Sequence, residues 1–212
     1  DTLIINPKTS DTSAIITIKA NSVTIDGFTL KNANYDYGAI YIYEETGAII
    51  QNNLFLDNLG EILIDGGGSH NIINNTFTTT EGSSLSDSWK ISINKSTSNK
   101  INKNKFTKLQ AGSYSPISLE ESSYNILKNN NISDNTVSYG INLSTNSNHN
   151  TIEGNSIIAP NSSENVMGVS LSNSSYNDIK GNTIQGQTGG IWLGFGSTYN
   201  NIQGNKIIEN DS

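Results

Sequence analysis

Gly168-Val-Ser-Leu171-Ser-Asn-Ser-Ser-Tyr-Asn177-Asp-Ile179-Lys-Gly181-Asn182-Thr-Ile184 is soon followed by Gly190-Ile-Trp-Leu193-Gly-Phe-Gly-Ser-Thr-Tyr-Asn200-Asn-Ile202-Gln-Gly204-Asn205-Lys-Ile207. Aligned, the two segments share one frame: G-[IV]-x-L, a polar turn, then N-x-I-x-G-N-x-I. The same frame runs back through the chain. Ile141/Leu143 lead to Ile152, Asn155 and Ile157, and Ile117/Leu119 to Leu127, Asn130 and Ile132. Ile91/Ile93 lead to Ile101, Asn104 and Phe106, and Ile62/Ile64 to Ile72, Asn75 and Phe77. Ile40/Ile42 lead to Ile50, Asn53 and Phe55, and Ile16/Ile18 to Ile25, Phe28 and Leu30. This makes eight units.

One column of Asn steps along at Asn53, Asn75, Asn104, Asn130, Asn155, Asn182 and Asn205, so the period is 22 to 29 residues. Within each unit the apolar residues alternate with period two, a strand signal. Three short strands per unit cannot bury their inward faces alone. Stacking the units solves this, with three parallel sheets around an Ile/Leu interior and coils about 4.8 Å apart. The Asn column falls where the chain must turn within two or three residues. Asn tolerates the left-handed region, as does the Gly that precedes it at Gly154, Gly181 and Gly204. Stacked Asn side chains can also bond the next coil and form a ladder. A second column stands at Asn99, Asn125, Asn150, Asn177 and Asn200. The fold class is therefore all-β: one single-stranded parallel β-helix (β-solenoid) of about eight coils over residues 1–212.

The quoted segments resemble the right-handed parallel β-helix repeats of the pectate-lyase-like superfamily, so the helix is expected to be right-handed. They look most like its NosD-like members and the repeats of carbohydrate-binding proteins and sugar hydrolases. The resemblance covers about residues 14–208. It implies the fold, and a substrate cleft on the outward face of the first sheet; this scaffold hosts enzymes, binders and passive stalks alike.

Composition narrows the chemistry. The chain has 212 residues, a net charge of −7, 33 Asn, no Cys and 12 Lys with no Arg. That balance disfavours nucleic acid, which is recognised through basic patches and Arg forks. The absence of Arg also removes the base that pectate lyases use. The paired Asp-Asp, Gly-His-Gly and Arg-x-Lys pattern of polygalacturonases is missing. Tyr37-Gly38 and Tyr139-Gly140 echo the first half of the alginate-epimerase motif, but no Asp-Pro-His follows. Zero Cys excludes disulfides and Cys-based zinc. His70 takes a position of the second Asn column and His149 precedes Asn150, so both read as turn residues. NosD-like proteins are linked to copper-site maturation, but no Met/His cluster occurs here. No regular Thr-x-Thr array suggests ice binding.

Uneven loops after the third strand (78–89, 107–116, 158–168) flank the first sheet, and loops on a rigid scaffold carry function. The outward positions expected on that sheet are Tyr41 and Tyr43 with Glu44 and Glu45, then Glu61, Leu63 and Asp65. Next come Lys90, Ser92 and Asn94, then Ser118 and Glu120, and at the far end Trp192. The glycan-binding candidates are Tyr41, Tyr43, Glu61, Asp65, Glu120 and Trp192. Aromatic faces stack on pyranose rings, and carboxylates bind hydroxyls. The catalytic candidates are Glu45, Asp65, Lys90 and Glu120. Asp65, with Glu45 or Glu120, is the candidate calcium site, and no other cofactor is expected. Sequons at Asn74, Asn94, Asn131, Asn142, Asn161, Asn173 and Asn210 suit a glycosylated surface protein.

The expected role is an extracellular, cell-surface structural or adhesin-like module whose partner is a polysaccharide or cell-surface glycan. The alternatives are a lyase, hydrolase or epimerase domain and a ligand-free stalk. No stretch is apolar enough to span a membrane. Leu3–Ile5 and Pro7 are expected to lay a strand over the first coil. The chain starts at Asp1 and ends on a regular strand at Lys206–Ile208, so it reads as a segment of a longer protein or one packed end to end with another domain or subunit.

Overall fold

The computed structural model describes residues 2–5, 13–34, 36–80, 89–109, 115–133, 139–159 and 166–208. It is the expected solenoid. Among the described residues, twenty-five short strands form three all-parallel sheets, two of eight strands and one of nine, and there is no helix. Each of the eight coils gives one strand to each sheet.

The first sheet stacks Ile16–Ile18, Ile40–Tyr43, Ile62–Asp65, Ile91–Asn94, Ile117–Glu120, Tyr139–Ser144, Met167–Leu171 and Gly189–Leu193. The register is strict: Ile40, Ile62, Ile91, Ile117 and Ile141 lie one above another. The ninth strand of the third sheet is Thr2–Ile5, which pairs in parallel with Phe28–Lys31 over the first coil, as expected. Pro7 lies outside the described residues, as do the middles of the three uneven loops.

The core is the sum of the inward positions. Ile40, Ile42, Ile62, Ile64, Ile91, Ile93, Ile117 and Leu119 are fully buried on the first sheet, and Ile50, Ile72, Ile101 and Leu127 on the second. On the third sheet Phe55, Phe77 and Phe106 stack with 4.7 Å between ring centroids and planes within 8°. The coil spacing sets this stacking, because equivalent side chains must lie one strand apart.

The turns are held by side chains. Between the second and third strands, the backbone N–H of Asn75 donates to Asn104 Oδ1 (3.0 Å), and that of Asn104 to Asn130 Oδ1 (3.0 Å). Each amide nitrogen also donates back across the coil, as Asn104 Nδ2 does to Ile72 O (2.8 Å). Phe28 occupies the same column in the first coil, and its N–H donates to Asn53 Oδ1 (2.9 Å). The residue just before this column has positive φ at Asn52, Asn74, Lys103, Asn129, Gly154, Gly181 and Gly204. The second column repeats the scheme through Asn99, Asn125, Asn150 and Asn177. His70 joins it: its N–H donates to Asn99 Oδ1 (3.0 Å), and its Nδ1 accepts from Ala48 N–H (3.1 Å).

Candidate functional site

Where the third strand of one coil passes to the first strand of the next, two consecutive residues face the interior. Glu61 and Ile62 are both buried, as are Lys90 and Ile91, and Gly140 and Ile141. In the later coils this corner is glycine, because Ile157 fills the space that a Cβ on Gly140 would need. Alternation therefore fails here, and it misplaces two residues expected on the outward face. Glu61 and Lys90 are fully buried and point inward. Lys90 Nζ lies 3.4 Å from Glu61 Oε1 and donates to Asn58 O (3.1 Å). Asn58 Nδ2 donates to Glu61 Oε2 (2.6 Å). Burial pushes the Glu61 carboxyl up to about 7, against the pull of Lys90 and the Asn58 hydrogen bond. Trp89 closes this corner, packed so tightly on Gly38 and Gly60 that neither has room for a Cβ. Glu61 is thus removed from the glycan-binding candidates and Lys90 from the catalytic ones, because neither reaches the outer surface.

The remaining outward residues of coils two to five do meet. Tyr43, Asp65, Asn94, Glu120 and Ser144 form one outward column in register. At about 4.8 Å per coil, Asp65 and Glu120 have their Cα atoms about 10 Å apart. Together with Asn94, Lys95 and Glu121 they line a shallow pocket of about 170 Å³. Glu45 sits beyond the turn and is not among the lining residues. Lys95 sets a positive charge beside the two carboxylates, which competes with any cation for them.

Beside the pocket stand three tyrosines. Tyr37 and Tyr41 have ring centroids 4.9 Å apart, and Tyr41 and Tyr43 are 6.1 Å apart, all tilted. The Tyr41 hydroxyl is raised above its ordinary range, first by partial burial and then by the charge of Asp65. That of Tyr43 is raised by its hydrogen bond to Glu44. Both hydroxyls therefore stay protonated donors at neutral pH. Trp192 is exposed in the same outward column as Tyr41, but six coils on, about 29 Å away at about 4.8 Å per coil. It is not part of this cluster.

Among the sequon residues, Asn74, Asn131 and Asn173 are exposed and Asn94 and Asn142 partly so. Asn161 and Asn210 lie outside the described residues.

One feature escaped sequence reasoning. Tyr124, His149, Tyr176 and Tyr199 stack in a row on coils five to eight, with centroids 5.0, 5.1 and 5.0 Å apart. Its signal was present: an aromatic or imidazole ring directly precedes Asn125, Asn150, Asn177 and Asn200.

The strict coil register and the Asn-bonded turns define a parallel β-helix repeat protein with an aromatic and acidic outer face. Within that class, the family model described as "Periplasmic copper-binding protein (NosD)" matches residues 78–212, and the chain belongs to that family. The family is a periplasmic one, in accord with the expected location outside the cytoplasm. No curated protein sequence matches the chain.

Among solved structures, the periplasmic alginate epimerase AlgG (T265N mutant) is similar at 14% identity and a TM-score of 0.52, over 89% of this chain and 61% of that one. The Azotobacter vinelandii mannuronan C-5 epimerase AlgE6 A-module follows at 17% and 0.41, over 85% and 54%. The catalytic domain of a GH87 α-1,3-glucanase in complex with nigerose gives 11% and 0.40, over 97% and 56%. The chain spans between 54% and 61% of these three proteins' length. The likeness to AlgG establishes the fold.

The residues described here do not fit a copper centre. No group of three or more His, Cys, Asp or Glu among them could hold a metal. His70 is buried with Nδ1 engaged by a backbone N–H, and His149 lies three coils away between two tyrosines. Copper favours clustered imidazole and sulfur ligands. Among the described residues no helix is long and apolar enough to cross a membrane.

Proposed function

We propose that this chain is an envelope β-helix module, structural or adhesin-like, that binds glycan through the outward face of its first sheet. The supporting observation is that the Tyr37/Tyr41/Tyr43 cluster adjoins the Asp65–Asn94–Glu120 pocket on consecutive coils of one rigid sheet. Tyrosine offers an apolar face and a polar tip. Carboxylates and an amide beside it can take the hydroxyls of a sugar stacked on the ring. The exposed sequon residues suit the same surface setting.

An oligosaccharide array on wild type and Tyr41→Ala/Tyr43→Ala tests this. Loss of two rings is expected to weaken the trench-bound glycans about tenfold or more. Equal binding by both proteins defeats the reading.

A second reading, an enzyme acting on polysaccharide, is favoured by one observation: Asp65 and Glu120 share one pocket. Inverting glycosidases place two carboxyls about 6.5–9.5 Å apart, around a water. Depolymerisation or epimerisation assays on wild type, Asp65→Asn and Glu120→Gln separate the two readings. Calorimetry with calcium checks whether the pair takes a cation despite Lys95.

A further inference from the structure

The row Tyr124–His149–Tyr176–Tyr199 lies in the turn between the first and second strands, away from the tyrosine cluster of coil two. Three observations single it out. First, all four residues have positive φ, between 55° and 62°. Bulky side chains such as the three Tyr are outliers in that region, which His enters more readily. In coils one to four the same column holds Ser22, Gly47, Ser69 and Ser98, also at positive φ and with no large ring. The turn therefore does not need an aromatic residue; four successive coils carry one at a conformational cost. Second, the rings are not buried in return. Tyr124 is 59% exposed, Tyr199 75%, and Tyr176 still 51% although covered on both sides. Third, the steps are equal within 0.1 Å and the planes lie within 12°. The result is a straight strip of ring surface over four coils, with phenol hydroxyls along it.

The residues directly preceding the rings, Ser123, Asn148, Ser175 and Thr198, are uncharged hydrogen-bonding groups, and the one carboxylate within two residues of a ring among these turns is Asp178, which accepts from Asn201 Nδ2. A strip of equal steps suits a ligand that repeats itself. Rings with polar tips among hydroxyls and amides suit one with apolar ring faces and a hydroxyl rim. The net charge of −7 and the lack of Arg disfavour a polyanion, nucleic acid included.

We infer that the Tyr124–His149–Tyr176–Tyr199 strip is a second binding surface, for a linear neutral polysaccharide lying along the solenoid axis. It shares no residue with the trench of coils two to five and does not depend on that site.

Affinity electrophoresis of the 212-residue chain through gels containing hydroxyethylcellulose, xylan or galactomannan, with polygalacturonate as the anionic arm, tests it. The variants are Tyr124→Ser/Tyr176→Ser and Tyr41→Ala/Tyr43→Ala. Serine already fills this column in three coils, so thermal melts should show the first variant folded. The expected result is retardation of wild type by at least one neutral polymer, kept in Tyr41→Ala/Tyr43→Ala. In Tyr124→Ser/Tyr176→Ser it should be weakened about tenfold or more. No retardation of wild type by any neutral polymer overturns the proposal. So does retardation unchanged in Tyr124→Ser/Tyr176→Ser. Sedimentation showing that the strip instead joins two copies, with self-association lost in that variant, also overturns it.

Discussion

His70 and Glu61 are the two side chains whose protonation the fold disturbs most. Burial lowers His70 to about 4, an effect that its weak contact with the Glu45 backbone carbonyl only partly offsets. Its Nδ1 accepts from Ala48 N–H, so the neutral ring carries its proton on Nε2. Between pH about 4 and 6.5 the unfolded chain holds a proton on this residue that the folded chain refuses. Stability from His70 is therefore full above about 6.5 and lost as pH falls through about 4, on the order of 3 kcal/mol in total. Glu61 has the opposite sign. Its folded carboxyl is raised from 4.5 to about 7. Its contribution is full below about 4.5 and lost as pH rises through about 7. The two slopes nearly cancel between pH 4.5 and 6.5.

His70→Asn restores the column residue and removes one slope. Melting curves of this variant should show stability falling as pH rises from 4.5 to 6.5, where wild type is nearly flat. Parallel pH profiles for the two proteins would show that these residues do not govern the response. The inward Glu61 and Lys90 were not legible in the sequence. Period-two alternation assigns one face per residue, and the corner before the first strand turns two neighbours inside.

At the scale of the strand and turn, the Asn columns were readable because one residue type recurs at one place in every unit. Geometry adds how much each member does. Asn104 Oδ1 accepts from both the backbone N–H and the Nδ2 of Asn75, while its own Nδ2 donates to Ile72 O. Asn104→Ala leaves the buried Asn75 N–H without its acceptor and takes one donor from Ile72 O. A buried orphan costs about 1–3 kcal/mol, so a loss of about 2 kcal/mol is expected in chemical denaturation. Asn205, only partly buried in the last coil, should cost clearly less when changed to Ala. Equal losses at the two positions would mean that the columns do not act through desolvated hydrogen bonds. The aromatic strip belongs to this scale too. It recurs in only four of eight coils, so a frame built from all the units averages it away.

Across the whole molecule, each described strand pairs only with strands of the coil before and the coil after, and Trp89 is a side chain that reaches one coil further, to Gly38. Stability in such a stack is close to a sum of coil terms and neighbour terms. Ile179 and Ile184 of coil seven are fully buried, whereas Ile202 and Ile207 of coil eight are exposed. Hydrogen exchange of this chain should show that gradient. The Asn104 amide, bonded to Asn130 Oδ1, is expected to exchange at least about tenfold more slowly than the Lys206 amide, bonded to Asn182 O. Uniform protection from coil four to coil eight would contradict a neighbour-only stack. At this scale the fold class, the coil count and the N-terminal strand were all legible, because repetition multiplies a weak local signal. The candidate site was half legible: Tyr41, Tyr43, Asp65 and Glu120 follow from alternation. Tyr37, Lys95 and Glu121 reach the site from turns, which alternation does not describe.

The Glu61–Lys90 corner also sets a rule of inheritance. A solenoid grows by duplicating and exchanging coils, and the joints outside coils three and four carry uncharged residues: Ile15, Ala39, Pro116, Gly140, Gly168 and Gly190. Coils three and four differ, since one brings a buried acid and the other its base. Moving either coil without the other strands a charge in the interior, at a cost of about 3–5 kcal/mol. The two coils must therefore be copied, lost or transplanted as a single unit.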